Sequence, residues 1–146
     1  MAVRDVRRIG CRGDVKVSAR STMNRGRRAA EAMMVDACVI RRRTGETTDP
    51  TTGEVTPTYA QVYSGKCRVQ TRNIATQSSN VGQQRVDLFT SELQLPIEVV
   101  DVLVNDVVEV TDSLDPALVG HSMRVTNLAY GTHKTARRLP LQEITS

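Results

Sequence analysis

From residue 35 onward the chain is cut into short runs of alternating apolar and polar residues, each closed by turn-forming residues. Alternation with period two puts every second side chain on one face, which is the pattern of half-buried β-strands. Val35-Asp36-Ala37-Cys38-Val39-Ile40-Arg41 sets Val35, Ala37 and Val39 on one face. QVYSGKCRVQT, residues 61–71, reads as a second strand, with Gly65 as a bulge or bend. Residues 85–95 resume the alternation through Val86, Leu88 and Thr90, and Pro96 suits an edge or a corner. A turn at Asn105-Asp106 leads into Val107-Val108-Glu109-Val110. MRVTNLAY (residues 123–130) and RLPLQEIT (residues 138–145) supply two more strands. Five or six short strands spaced by turns predict a mainly β fold, a small antiparallel β-barrel or sandwich.

The core open to such a fold is aliphatic. Aromatics are only 3% of the chain, with no Trp and the single Phe89, while Val is frequent. β-Branched side chains pack well on a pleated surface. At 146 residues the chain has the length of one domain with an extension. The extension lies before residue 35. Residues 1–22 carry Arg or Lys every few positions around Gly10 and Gly13, and read as a basic extended arm ordered mainly against a neighbour. Residues 23–34 predict a short helix, with Thr22 or Asn24 as cap and Ala29, Ala30, Met33 and Met34 near one face. The expected organisation is therefore arm 1–22, helix 23–34 and β domain 35–146.

Charge follows the same division. Residues 1–43 hold 12 Lys+Arg and 4 Asp+Glu, a formal +8, whereas residues 44–146 hold 8 and 12, a formal −4. A basic arm on a mildly acidic body suits contact with polyanions or with an acidic protein surface. No run approaches the ~20 apolar residues of a membrane helix. The opening MAVRDVRRIGCRGDVK lacks the apolar centre of a signal peptide, so the expectation is a protein that stays inside the cell. Cys11, Cys38 and Cys67 match neither a zinc spacing nor a CxxC pair, and read as free thiols.

Two segments stand out as loops. Residues 44–58 hold Thr-Gly-Glu, Asp49-Pro50, Thr52-Gly53-Glu54 and Pro57, and predict a long polar hairpin loop. Residues 73–84, NIATQSSNVGQQ, are uncharged and rich in Gln, Ser and Asn; a dozen such residues between strands predict a loop that is either functional or disordered. Asp112 and Asp115 suit turn formation around Pro116 and lack the ligand pattern of a calcium loop.

Catalytic chemistry needs groups that converge, and the inventory is thin. His121 and His133 fall at loop edges, no Gly-rich phosphate loop or clustered Cys/His is present, and no Ser occupies a nucleophile elbow. The expectation is a non-enzyme without metal or cofactor. Tyr59, Tyr63, Phe89 and Tyr130 are too few and too scattered for a platform on which bases stack, so any contact with nucleic acid would be backbone-directed.

The order of segments carries a resemblance. RGRRAAEAMMVD leads into ACVIRR, then DPTTGEVTPTY, VYSGKCRVQ, DVVEVTDSLDPALVGHSMRV and RLPLQEI. Over residues 23–146 this resembles the head-to-tail connector proteins of actinobacteriophages and, more distantly, the head–tail joining or stopper proteins of long-tailed phages. The resemblance implies a structural virion protein in the neck. Its β-barrels would form a homo-oligomeric ring, expected to be a dodecamer, between the portal and adaptor above and the tail terminator and tail tube below. Genome DNA would pass through the channel without sequence specificity. By position along the chain, Asn73, Thr76, Gln77, Ser78, Ser79, Asn80, Gln83 and Gln84 correspond to the stopper's channel loop. Asp49, Thr52, Glu54 and Tyr59 of the hairpin are expected at adjacent subunits. Arg4, Arg7, Arg8, Arg12, Lys16, Arg20, Arg25, Arg27 and Arg28 are expected to meet an adjacent subunit, a neighbouring ring or the DNA. The alternatives are another neck ring, a tail terminator or adaptor, and an unrelated nucleic-acid-binding β-barrel.

Overall fold

The computed structural model describes residues 18–75 and 87–144. Six antiparallel strands follow in chain order: β1 (Asp36–Thr48), β2 (Val55–Ala75), β3 (Asp87–Leu95), β4 (Val107–Asp112), β5 (Ser122–Val125) and β6 (Arg137–Glu143). They pair in the order β1-β2-β3-β6-β5-β4, and β4 returns to β1 to close a barrel. The mainly β fold read from the alternation is the fold the chain adopts. A helix, α1 (Ala19–Ala32), precedes the barrel, and a 3-10 turn spans Pro116–Leu118. Asp115 caps that turn by accepting from Ala117 N at 3.0 Å, the turn-forming role its position suggests.

Six strands enclose a narrower interior than the eight of a ligand-holding barrel, so side chains of middle size fill it. Ile40, Leu93, Leu95, Val108, Val110, Val125 and Leu139 are all fully buried there, with Cys38 and Cys67 beside them. A barrel of this bore needs no aromatic ring, which accounts for the aliphatic composition. Each such side chain contributes about 1.5–3 kcal/mol by leaving water. Val102, from the connection between β3 and β4, joins the same cluster.

Several expectations are corrected. Helix α1 begins earlier, at Ala19, because Ser18 rather than Thr22 or Asn24 caps it, accepting from Ser21 N at 3.2 Å. Arg20 therefore belongs to a helix and not to the arm. In β1 the inward residues are Asp36, Cys38 and Ile40, opposite in phase to Val35, Ala37 and Val39; Val35 is exposed. Gly65 pairs regularly with Cys38, and the irregularity falls at Ile40/Arg41, opposite Tyr63 and Gln61. Gly65 is small for another reason: a Cβ there would lie 2.8 Å from the Tyr63 hydroxyl. Strand β5 stops at Val125 instead of running to Tyr130: Thr126 N still donates to Pro140 O at 3.0 Å, but a proline has no N–H to continue the ladder. Residues 44–58 are mostly strand, not loop.

Candidate assembly surface

Strand β1 pairs with β4 only from Ala37 to Arg41, and β2 pairs with β3 only from Arg68 onward. Beyond these limits β1 and β2 hold only each other, from Arg42↔Ala60 to Thr48↔Val55. At about 3.3 Å per residue, this two-stranded ribbon projects roughly 25 Å from the barrel. Apart from half-buried Arg42, every residue from 41 to 61 is exposed. Thr, Val and Tyr favour extended backbone, and the Thr47 and Thr58 hydroxyls lie 3.2 Å apart across the strands. Irregular register at Ile40/Arg41 and Arg43/Gly45, with Pro57 in β2, blunts both edges against indiscriminate strand addition.

The ribbon is fastened at its base. Arg42 Nε donates to Asp106 Oδ1 at 2.9 Å, its guanidinium NH2 donates to Oδ2 at 2.8 Å, and that NH2 also reaches Asp101 O at 2.6 Å. Asp106 is 1% exposed and also accepts from Leu103 N at 2.8 Å. The forked donor on a planar carboxylate fixes geometry as well as charge. The hydrogen bond to Asp106 raises the Arg42 pKa above its ordinary value. At the far end, Asp49 N donates to Glu54 O at 2.9 Å and Gly53 N to Asp49 O at 2.8 Å. Gly53 takes the left-handed backbone (φ 71°) that a glycine adopts without strain. The Asp49 carboxylate accepts from Thr51 N at 2.8 Å, and these backbone bonds hold its pKa below the usual aspartate value.

Alternation gives the ribbon two faces. Val55, Pro57 and Tyr59 share one with Arg43 and Glu46, which form an ion pair; Thr47, Thr56, Thr58 and Ala60 share the other. The first face therefore carries an apolar stripe beside charge. Of the four hairpin residues picked out by sequence, Asp49, Thr52 and Glu54 form the tip and Tyr59 stands on this apolar stripe.

Helix α1 offers a second open surface. None of its residues is buried. Glu31 receives Lys66 Nζ at 2.7 Å, and Gly26 lies close against Thr135. Arg20, Arg25 and Arg28 are exposed, and Arg27 Nε is shielded from solvent without a hydrogen-bond partner. Where the helix ends, an open groove of about 290 Å³ is lined by Met33, Val35, Arg68, Leu114 and Leu118 among others. Three of these apolar side chains are conspicuously bare: Met33 at 53%, Val35 at 56% and Leu114 at 82% exposed.

The remaining sequence expectations divide cleanly. Asn73 lies in β2, paired with Phe89, and not in a loop. Thr76, Gln77, Ser78, Ser79, Asn80, Gln83 and Gln84 lie outside the described residues, as do Arg4, Arg7, Arg8, Arg12 and Lys16. Arg20, Arg25, Arg27 and Arg28 are brought together on α1. What sequence reading missed is the Arg42–Asp106 clamp, since its partners stand 64 residues apart. The ribbon had a weak signal: Thr47-Thr48 and Val55-Thr56-Pro57-Thr58-Tyr59 are strand formers, masked by their polarity.

Other polar clusters serve the fold. Cys38 and Cys67 are free and buried inside the barrel, and hydrogen bonding between them together with burial pushes the Cys67 thiol pKa strongly upward. Buried Asp36 accepts from Ser113 Oγ at 2.7 Å and from Val69 N at 3.4 Å, tying the 113–118 turn to the barrel. His121 Nδ1 lies 3.1 Å from Glu143 Oε1 in a shallow depression that Ser91 also lines. Among the described residues no hydrogen bond joins Ser91 to either, so a nucleophile–base pairing is not made. No group of three or more His, Cys, Asp or Glu arranged to hold a metal ion occurs among the described residues.

Residues 26–142 match a family described as "Family of unknown function (DUF6093)". No curated protein matches. The solution structure of protein SF1141 from Shigella flexneri 2a is similar, with a TM-score of 0.50 and 14% identity, over 75% of this chain and 92% of that one. At that identity the likeness is one of fold.

Proposed function

We propose, for a chain that belongs to the DUF6093 family of unknown function, that it is a structural subunit of a head-to-tail connector ring in the neck of a tailed phage. One observation carries this reading: the β1–β2 ribbon projects from a closed barrel, has no core of its own, and is nevertheless locked at base and tip. An isolated two-stranded ribbon is marginal in water, so one this long and this well anchored gains its stability from a partner. The order of segments along the chain, which resembles that of phage connectors, names the setting. The barrel then serves as the rigid body of each subunit, and its extensions join the copies to one another and to the rings above and below.

Cryo-electron microscopy of the particle neck tests the proposal. The expected result is this barrel repeated around the DNA channel between adaptor and tail, with the ribbon against a neighbour. Particles whose neck lacks the chain would overturn it. A second reading, a nucleic-acid-binding barrel, draws on the four arginines of α1. Salt-sensitive binding of the isolated chain to duplex DNA, with no copy in the particle, would favour that reading.

A further inference from the structure

Two surfaces of the described chain are left open, and they are complementary. The outer part of the ribbon, residues 44–58, carries Glu46, Asp49 and Glu54 and no Lys or Arg, with Glu46 paired to Arg43 nearer the base. Helix α1 carries exposed Arg20, Arg25 and Arg28 with half-buried Arg27 beside them, and its single carboxylate, Glu31, is already held by Lys66. Among the described residues no ion pair engages those four arginines. The apolar parts correspond as well. Val55 and Tyr59, 52% and 46% exposed, flank Pro57 on one ribbon face, and the groove at the end of α1 is bare at Met33, Val35 and Leu114. Lengths agree too: a 14-residue helix spans about 21 Å and the ribbon roughly 25 Å.

We propose that the ribbon of one copy lies along α1 of the next copy, its acidic tip on the arginines and its Val55–Pro57–Tyr59 stripe on the Met33/Val35/Leu114 groove. The occupant is a second copy of this chain and not DNA, because a phosphate backbone would leave both the ribbon's Val55/Tyr59 stripe and the bare Met33, Val35 and Leu114 uncovered. Ribbon and helix are different surfaces, so the contact is head-to-tail; repeated, it closes a ring or extends a filament. This rests on the ring reading insofar as it requires copies to meet. Of the contacts expected from sequence for the α1 arginines, an adjacent subunit, a neighbouring ring or DNA, it selects the adjacent subunit.

The test is sedimentation velocity of the full chain at low salt, where screening is weakest. Glu46→Lys with Glu54→Lys reverses the ribbon while sparing the Asp49 turn, and Arg25→Glu with Arg28→Glu reverses the helix. Each pair is expected to weaken self-association by at least about tenfold, because like charges then face each other across the contact. The four changes together are expected to restore it, an outcome a merely unfolded ribbon or helix would not give. Association equally strong in every variant would overturn the inference while leaving the ring reading standing. So would failure of the fourfold variant to recover, or a helix reversal that abolished DNA binding alone. A wild-type chain that stays monomeric at low salt yet occupies the neck in particles would likewise refute this contact and spare the ring.

Discussion

Residues 36–40 and 41–48 form one continuous strand, yet different forces hold the two halves. In the first, Cys38 and Ile40 point into a barrel closed by β2 on one side and β4 on the other. In the second, β4 pairs with Arg41 and no further, every residue except half-buried Arg42 is exposed, and order comes from one neighbouring strand, a buried carboxylate at the base and a hydrogen-bonded turn at the tip. The barrel half is stabilised by apolar burial, which is insensitive to salt and to the exact polar partners. The ribbon half is stabilised by a few directional contacts, each of modest size. Extended backbone of similar shape can thus serve as a core in one stretch and as a connector in the next. What decides is the number of neighbours, not the strand itself.

The largest expected effect separates the halves outright. Ile40→Ala should lower unfolding free energy by about 2–5 kcal/mol, whereas Thr47→Ala, on the ribbon, should change it by less than about 0.5 kcal/mol, both read from urea denaturation. Equal costs would mean that the ribbon and barrel unfold as one. Next in size is Asp106→Ala, which strips Leu103 N and Arg42 of their shared acceptor. We expect a loss of about 1.5–3 kcal/mol, the usual worth of hydrogen bonds to a charged group. Hydrogen exchange should then quicken in residues 41–61 more than in β3 or β6.

A smaller effect sharpens the contrast from the tip. Gly53→Ala meets open space but must keep φ near 71°, so it should weaken the turn by about 1 kcal/mol. Ribbon amides should exchange faster while the global unfolding midpoint stays put, because local opening does not draw on the barrel. The smallest effect is one of pH. Backbone hydrogen bonds from Thr51 and Thr52 depress the folded-state pKa of Asp49 below its ordinary 3.8. The turn's stabilisation by the carboxylate is therefore complete above that value and fades as the pH falls through the folded one. The Thr51 amide resonance should shift only below about pH 4; a midpoint at or above the ordinary value would show that the turn does not hold the carboxylate.

The barrel was legible because its evidence is local. β4 shows this well: Val108 and Val110 alternate with Val107 and Glu109, and the strand appears where the alternation lies. The 3-10 turn at Pro116 was legible for a similar reason, since an Asp before a Pro caps the turn it starts. The ribbon was read as loop because its strand formers are threonines, and polarity outweighed β propensity in the reading. The helix start was missed because a serine outside the expected helix caps it. For the candidate surface, the tip residues and the α1 arginines could be named, but nothing local indicated the clamp or the groove.

The succession of alternating strands, the aliphatic core and a helix before residue 35 were determined by the sequence alone, because each depends on spacing within a few residues. Tertiary structure decided the phase of β1, the projection of its second half and the pairing of Arg42 with Asp106. Period two defines two faces but cannot say which of them the closing strands will cover. Only the closed pairing of β1 with β4 as far as Arg41, and no further, turns Ile40 inward and leaves the rest of the strand free to reach a neighbour.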